Sequence, residues 1–310
     1  MMRATDAVHL GLMLAALSIT YVVPFELLLL SYVVLGPAHY FTEISWLHDR
    51  KYFLPDPSRI IPLGLVIVAV SAVLIDNASW FGFVIWMAFV ACVLLTATTA
   101  AQSAVLTAIA LVLTAIMATS GSSLAVLGIL LPTLIHVSLF TLVFMILGAY
   151  RSGSKMQALL IVVYLLAIGV ILVAPPTAAT QIAAFAKVGR DYFGNVGPAL
   201  GRLLGIAHLN LDTRLTSLLA FVYTYHYLNW FIKSDVIRWA EIPRTRLALV
   251  IAASVASTAL YFYDYAFGFT ILLALSLVHV VLEFPLNSLA LRQLGTAIGQ
   301  GVTQRIYRRA

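Results

Sequence analysis

The chain alternates between long apolar runs and short polar stretches. A helix needs about 20 apolar residues to cross a bilayer, and ten runs of roughly that length follow one another along the sequence. One long connection, at 175–212, separates the seventh run from the eighth. The pattern predicts transmembrane helices at 7–23, 24–47, 60–76, 80–97, 102–119, 123–150, 156–174, 213–234, 246–264 and 267–290.

Two stretches depart from this simple alternation. The first two runs meet at Pro24, and proline suits the first turn of a helix but not its interior, so two helices or one kinked helix over 7–47 are both open. Within the long connection, segment 181–206 mixes apolar residues with charged ones. That mixture predicts an amphipathic helix lying on the extracytoplasmic membrane surface.

Composition places the chain among integral membrane proteins. Hydrophobic residues make up 62% of it and charged residues only 10%, whereas a soluble domain has about 25% charged residues. We therefore predict an all-α, polytopic membrane bundle that forms a single transmembrane domain over 1–310. Soluble and nucleic-acid-binding classes are excluded despite the net charge of +6. The single cysteine, Cys92, rules out a disulfide framework and a thiolate metal cluster.

The basic residues predict the orientation. With an even number of spans, both termini lie on one side, and that side collects 14 of the 18 lysines and arginines. Cytoplasmic loops of membrane proteins are enriched in these residues. The termini are therefore predicted to be cytoplasmic, in the inner (cytoplasmic) membrane of the cell. The basic segment 305–309 is predicted to contact anionic lipid headgroups.

Two His-x-x-x-Glu elements stand inside apolar runs, His39 with Glu43 and His279 with Glu283. Residues four apart lie on one face of a helix. Ionisable groups within the hydrocarbon are costly, and they are commonly paired and functional. At 1.5 Å per residue, His39 and Glu283 each lie roughly 14 Å from the cytoplasmic end of their helices. The two pairs are therefore predicted to share a depth.

Two further imidazoles can join them. His226 lies roughly 10 Å from the cytoplasmic end of its helix, and His136 lies deepest, about 22 Å from Arg151. A single intramembrane histidine can simply be hydrogen-bonded to a neighbouring backbone, but four on four helices favour a joint site. Of the other histidines, His9 is predicted to be interfacial, His208 belongs to the long loop, and the role of His48 is open.

Imidazole and carboxylate without thiolate is the ligand set of non-haem iron, with zinc and manganese as alternatives. We predict that His39, His136, His226 and His279 hold one or two metal ions. Glu43 and Glu283 would act as further ligands or would hold the outer imidazole nitrogens. Asn229 lies three residues from His226 on the same face and would add a hydrogen bond or a weak ligand.

Proline and aromatic residues surround these positions. Pro37 lacks an amide hydrogen, so it frees a backbone carbonyl near Val33 and allows a polar cavity to open. Pro132 and Pro285 repeat this arrangement near His136 and Glu283. The aromatic residues at 223–231 predict either the walls of a site for an extended apolar substrate or an interfacial belt.

One family resemblance rests on these residues. The element Gly36-Pro37-Ala38-His39, followed by Glu43 and by single histidines in later spans, resembles the bacterial membrane β-carotene dioxygenases that form retinal. The resemblance implies an all-helical iron enzyme with histidine ligands. The chain departs from the family's pattern in two ways. The residues after His39 are Tyr40-Phe41-Thr42, and a closely spaced histidine pair late in the chain, which the family has, is absent from this sequence.

Three functions are compatible with the sequence. The first is a membrane-embedded non-haem metal oxygenase that uses O₂ on a lipophilic substrate such as a polyene, an isoprenoid or an acyl chain. The second is a proton-coupled transporter in which the buried His/Glu pairs form a relay. The third is a lipid transferase in which one buried histidine acts as a base.

Overall fold

A computed structural model describes residues 4–51, 61–62, 64–68, 81–97, 99–119, 133–176, 211–233, 238 and 241–307. Within these ranges the chain is helical and contains no strand, as predicted. The main helices are α1 (Ala4–Val22), α2 (Pro24–Arg50), α3 (Phe81–Leu94), α4 (Ala100–Thr119), α5 (Ile135–Ser152), α6 (Lys155–Val173), α7 (Leu211–Ile232), α8 (Arg244–Tyr263) and α9 (Tyr265–Tyr307).

Six of the described helices, α1, α2, α5, α6, α8 and α9, are long and apolar enough to cross a membrane. Large apolar side chains on their outer faces are exposed, among them Leu249 at 70% and Leu166 at 61%. Exposed apolar surface of this extent is typical of a lipid-facing bundle. The protein is therefore a membrane protein. The count of ten spans stays a prediction, and the proposed surface helix at 181–206 and Pro132 lie outside the described residues.

Helix α7 lies at the centre of the bundle. It carries polar residues along its length, and it is not among the helices whose apolar character alone marks them as spans. Its segment 219–227 is buried throughout, and it packs against α1, α2, α5 and α6. The apolar faces of its neighbours shield α7 from lipid, so its polar side chains face other protein groups.

The structure decides between the two predictions for 7–47 and extends the last predicted helix. Val23 has non-helical dihedrals (φ −140°, ψ 64°) and Pro24 begins α2, so α1 and α2 are two separate helices. Helix α9 continues past the predicted end at 290 to Tyr307. The continuation is stabilised because Ala290 and Leu294 pack against Val143 and Leu147 of α5.

Side-chain contacts show that α7 runs parallel to two of its neighbours. Ser31 contacts Thr224 and Trp230 contacts Thr42, so α2 and α7 run in the same direction. Thr141 of α5 contacts His226, and Lys233 lies over the ring of Phe144, so α5 runs in that direction too.

The remaining helices of the site follow from two more contacts. Helix α9 runs parallel to α5, because His136 meets His279 while Arg151 bonds Gln293. Helix α8 is antiparallel to α2, since it begins where α2 ends, with Arg246 bonded to Asp49. The four helices α2, α5, α7 and α9 therefore all run in one direction.

The two ends of the bundle differ in their contacts. One end, which we call the basic end, carries the Arg246–Asp49 ion pair at 2.7 and 2.8 Å and the 2.6 Å bond from Arg151 to Gln293. At the opposite end, the Tyr21 hydroxyl donates a 2.6 Å hydrogen bond to the carbonyl of Ala174. The basic end is the side that the sequence analysis predicted to be cytoplasmic.

Helix α2 is interrupted by a π-helical turn at Ser31–Leu35, directly before Gly36 and Pro37. The Gly36 amide bonds back to the carbonyl of Ser31, five residues earlier. The Val33 carbonyl, expected to be freed by Pro37, accepts a 2.9 Å hydrogen bond from the Thr258 hydroxyl of α8. A second π-helical turn, Ile135–Phe140, lies in α5 and contains His136. π-Helical turns are rare and are frequent at functional sites.

Candidate metal centre

The structure brings the four intramembrane histidines to one point. His39 on α2, His136 on α5, His226 on α7 and His279 on α9 are exposed by only 1%, 1%, 9% and 2%. Each offers a ring nitrogen, and these four atoms all lie within 4.8 Å of one another. The depth difference that set His136 apart in the sequence analysis is therefore absent. His136 lies level with His279, because their Nε2 atoms are 3.2 Å apart.

The spacing of the nitrogen atoms suits a metal ion. The Nε2 atoms of His226 and His39 are 3.2 Å apart, and so are those of His279 and His136. With metal–nitrogen bonds of about 2.0–2.1 Å, two atoms 3.2 Å apart subtend roughly 100–105° at the metal. That angle lies between the octahedral and tetrahedral values. Within each of these two pairs, the imidazoles are thus spaced as a shared metal would require.

The outer nitrogen atoms of three imidazoles face hydrogen-bond partners. Nδ1 of His279 lies 2.6 Å from the carbonyl oxygen of Ser276, which can only accept, so this nitrogen carries the proton. Nδ1 of His226 lies 2.8 Å from the Thr141 hydroxyl. Nδ1 of His136 lies 3.0 Å from a carboxylate oxygen of Glu283. Metal-binding histidines almost always donate their outer N–H to such groups, which fixes the tautomer with Nε2 free to bind the metal.

The two glutamates take different positions. Oε2 of Glu43 lies 2.9 Å from Nε2 of His39 and 3.9 Å from Nε2 of His279, on the inner side of the imidazoles. Glu283 stands behind His136, on the outer side. Glu43, Glu283 and His279 also form a second group whose ligand atoms lie within 4.8 Å of one another. A buried His/Glu group within metal-binding distance is therefore present, with Glu43 placed as a further ligand.

The second His-x-x-x-Glu element does not pair as its spacing suggests. His39 does contact Glu43 one turn away, but Glu283 contacts His136 of another helix. The reason lies in His279, whose Nδ1 bonds the Ser276 carbonyl and so directs Nε2 toward His136. Glu283 then reaches across to α5. One pair is thus intrahelical, and the other joins two helices.

An aromatic shell encloses the imidazoles. The ring of Tyr40 stacks on His279 at 4.4 Å, and Trp230 meets His39 edge-on at 5.4 Å. The hydroxyl groups of Tyr40 and Tyr227 are 2.7 Å apart. Tyr223 and Tyr227 are 7% and 1% exposed, so these side chains of α7 line the interior rather than a lipid interface. The shell holds the rings in place and excludes water from them.

The other predicted residues lie at varying distances from the cluster. Asn229 is buried (6% exposed), and its part in the site stays a prediction. His48 is 64% exposed and lies 3.6 Å from Asp49, so it is remote from the four imidazoles. His9 is partly buried and meets Tyr225 edge-on at 6.5 Å. His208 lies outside the described residues.

Sequence reasoning missed two contributors. Thr141 bonds His226 from the neighbouring helix, and Asn287, which is fully buried, lies one turn beyond Glu283 in α9. The i, i+4 spacing from Glu283 could have singled out Asn287. Nothing in the sequence distinguishes Thr141 from other threonines, because its role depends on the contact between α5 and α7.

A cavity of about 780 Å³ reaches this site between α3, α4, α5 and α9, and His136 is part of its wall. A second cavity, of about 680 Å³, lies between α2 and α8 and is lined by Ala38 and Thr42. Both are predominantly apolar. The imidazole cluster borders the larger cavity through His136, and Ala38, next to His39 in the chain, borders the smaller one.

The chain was also compared with known proteins. Protein-family models, curated proteins and solved structures yielded no match to it. The function of the chain has therefore to be inferred from the geometry of the imidazole cluster.

Proposed function

We propose that the protein is a membrane-embedded, metal-dependent oxidoreductase that acts on a lipophilic substrate, with iron as the metal. The observation that carries the proposal is the convergence of one ring nitrogen from each of four buried histidines, three of which have an outer nitrogen that faces a carbonyl, a hydroxyl or a carboxylate. A proton network alone does not require all four inner nitrogens to face one point. Nitrogen and carboxylate ligands without thiolate favour iron, with zinc or manganese as alternatives.

The roles of the residues follow from their positions. His39, His136, His226 and His279 would hold the metal, and Glu43 would be a further ligand or would accept a proton from substrate or water. Glu283, Thr141 and the Ser276 carbonyl hold the imidazole orientation. The bound iron would supply O₂ activation. The aromatic shell and the bundle keep water away from the reacting groups.

The reaction class is proposed from the setting of the site. An apolar cavity beside His136 supports a lipophilic substrate taken from the membrane, a polyene, an isoprenoid or an acyl chain. Cleavage of a carbon–carbon double bond by O₂ gives two carbonyl groups and needs no other reductant. This reaction agrees with the resemblance to retinal-forming dioxygenases. Desaturation or hydroxylation would require two electrons from a redox partner. The inner membrane is the proposed location.

Metal analysis of the purified protein tests the proposal. After expression in iron-supplemented medium, we expect about one or two equivalents of iron per chain. Replacement of His39, His136, His226 or His279 by alanine should abolish or strongly reduce the metal content. The matched control is His48→Ala, because His48 is 64% exposed and outside the cluster. A metal content below about a tenth of an equivalent in the unaltered protein would exclude a resident metal.

One observation favours a second candidate, a proton-coupled transporter. Imidazoles and carboxylates follow one another at distances of 3.0, 3.2 and 3.9 Å from Glu283 through His136 and His279 to Glu43. Such a chain can pass protons. This candidate predicts pH-dependent flux in liposomes that is unaffected by removal of metal.

The third candidate, a lipid transferase with a single histidine base, predicts that only one of the four histidines is indispensable.

A further inference from the structure

The larger cavity changes in character along its length. Near His136, its wall is formed by apolar and aromatic side chains, including Phe89, Phe140 and Phe284. At the basic end, it is lined instead by Thr96, Gln102 and Arg292. A site with an apolar body and few polar groups at one end matches an elongated amphiphile. Its volume of about 780 Å³ lies within the usual range for small-molecule sites.

Arg292 gives the polar end of the cavity a positive charge. Its guanidinium donates a hydrogen bond to the Thr96 carbonyl, which connects α9 to the end of α3. A guanidinium has five N–H donors, so further donors can serve a ligand. The described lining contains no aspartate or glutamate. A carboxylate would therefore find a favourable, bidentate partner at this end of the cavity.

The distance to the metal centre limits the length of the ligand. Arg292 lies nine residues after Glu283 on α9, which is roughly 14 Å along the helix. Glu283 contacts His136 at 3.0 Å, so His136 also lies roughly 14 Å from the basic end. A staggered chain with bonds of about 1.5 Å advances roughly 1.25 Å per bond, so on the order of ten bonds cover this distance.

We infer that the larger cavity binds a single-chain lipid with a carboxylate head, the carboxylate on Arg292 and a carbon about ten bonds along the chain beside His136. This inference deepens the proposed function, because it names the substrate class as a long-chain carboxylic acid rather than a neutral polyene. The binding itself depends only on the cavity and on Arg292, so it can be tested separately from the metal.

Equilibrium binding to the full-length protein in nanodiscs of neutral lipid provides the test. The probes are a radiolabelled sixteen-carbon fatty acid and its methyl ester, which has the same chain without the charge. We expect the acid to bind at least about tenfold more tightly than the ester, since a hydrogen bond to a charged group is lost in the ester. Arg292→Gln should abolish this preference, and Arg292→Lys should retain part of it.

Two further variants separate the head from the chain. Phe284→Trp adds volume to the apolar part, and it should weaken the acid and the ester alike. Arg151→Gln, which removes a cation of the same end that does not line the cavity, should leave the preference unchanged. Binding of acid and ester with equal affinity would overturn the inference. So would equal competition by a two-chain anionic phospholipid, which would make Arg292 a headgroup contact.

The two proposals fail in different ways. If the protein contains no metal but Arg292 still distinguishes acid from ester, the proposed oxidoreductase fails and the binding site stands. If the metal is present but the acid has no advantage, the cavity inference fails and the metal centre stands. His136→Ala should lose metal and keep the preference for the acid, because His136 is at the far end from Arg292.

Discussion

At the scale of single residues, the site is a set of imidazoles whose orientation is set by contacts at their outer ring nitrogens. His39 with Glu43 could be predicted from the sequence, because a spacing of four places both on one helix face. The orientation of His226 by Thr141 and of His136 by Glu283 could not, since each depends on a neighbouring helix. Local spacing and position within the apolar runs thus identified the histidines and glutamates but not all of their partners.

The contact between Thr141 and His226 leads to a prediction. Thr141→Val removes the hydroxyl 2.8 Å from Nδ1 of His226 with little change of shape. Loss of such an outer partner typically weakens metal binding by about 10- to 100-fold. Thr141→Ser keeps the hydroxyl and should restore most of the affinity. Competition with a chelator of known affinity, followed by metal analysis, measures the effect.

A suitable control for this experiment is Thr270→Val. The Thr270 hydroxyl donates to the Ala266 carbonyl one turn earlier in α9, and the residue is only partly buried, so its removal should leave metal binding unchanged. Wild-type affinity in Thr141→Val would show that His226 does not depend on this hydroxyl.

At the scale of elements, the two π-helical turns explain where sequence periodicity fails. A π-helical turn holds about one residue more than an α-helical turn, which shifts the following residues by roughly 100° around the axis relative to an unbroken α-helix. If the sides of α2 are assigned with the α-helical period through Ser31–Leu35, His39 and Glu43 are therefore assigned to the wrong side relative to the residues before the turn. The Pro37 interruption could be predicted, and the Thr258 hydroxyl that bonds the Val33 carbonyl could not.

The connection between α8 and α9 is a second sensitive element. Asp264 caps α9, because its carboxylate accepts a 3.0 Å hydrogen bond from the Phe267 amide. One turn later, Gly268 lies directly against the backbone of Tyr261: a Cβ at Gly268 would be 2.6 Å from the Tyr261 nitrogen. Backbone cannot move aside as a side chain can, so the two helices can approach this closely only with glycine at 268.

We expect Gly268→Ala to destabilise the protein by about 1–3 kcal/mol or more, as overpacking does. Because α9 carries His279 and Glu283, metal content should fall as well. Thermal unfolding in detergent, with metal analysis of the same preparation, measures both effects. Gly295→Ala in the same helix meets no atom within 4 Å and replaces glycine by a better helix former, so it should be neutral or stabilising. Equal melting temperatures for the two variants would contradict the packing argument.

At the scale of the whole molecule, composition was sufficient to predict an all-helical membrane protein, and the described helices confirm it. Composition could not predict the central place of α7. Its polar residues suggest a weak span, yet segment 219–227 is enclosed by other helices. Burial inside a bundle is a property of the assembly, so it cannot be obtained from the hydropathy of one segment.

The basic end provides a prediction about orientation. In a Cys92→Ser background, which removes the one cysteine of the chain, Ser152→Cys places a thiol at the basic end and Ala174→Cys places one at the opposite end. Both positions are exposed. On bacterial spheroplasts, a membrane-impermeant maleimide should label Ala174→Cys directly and Ser152→Cys only after permeabilisation. The reverse order of labelling would place the termini outside the cytoplasm.

The distribution of the imidazoles along the chain has a consequence for biosynthesis. The first of the four is in α2 and the last is in α9, separated by most of the polypeptide. Before α9 is inserted into the bilayer, the site of a nascent chain lacks His279 and Glu283. Under the proposed function, the metal can be captured by the full set of imidazoles only after synthesis is almost complete. Metal content would then report whether insertion was finished, and a chain that stops before Tyr265 should leave the translocon without metal and be open to membrane proteases.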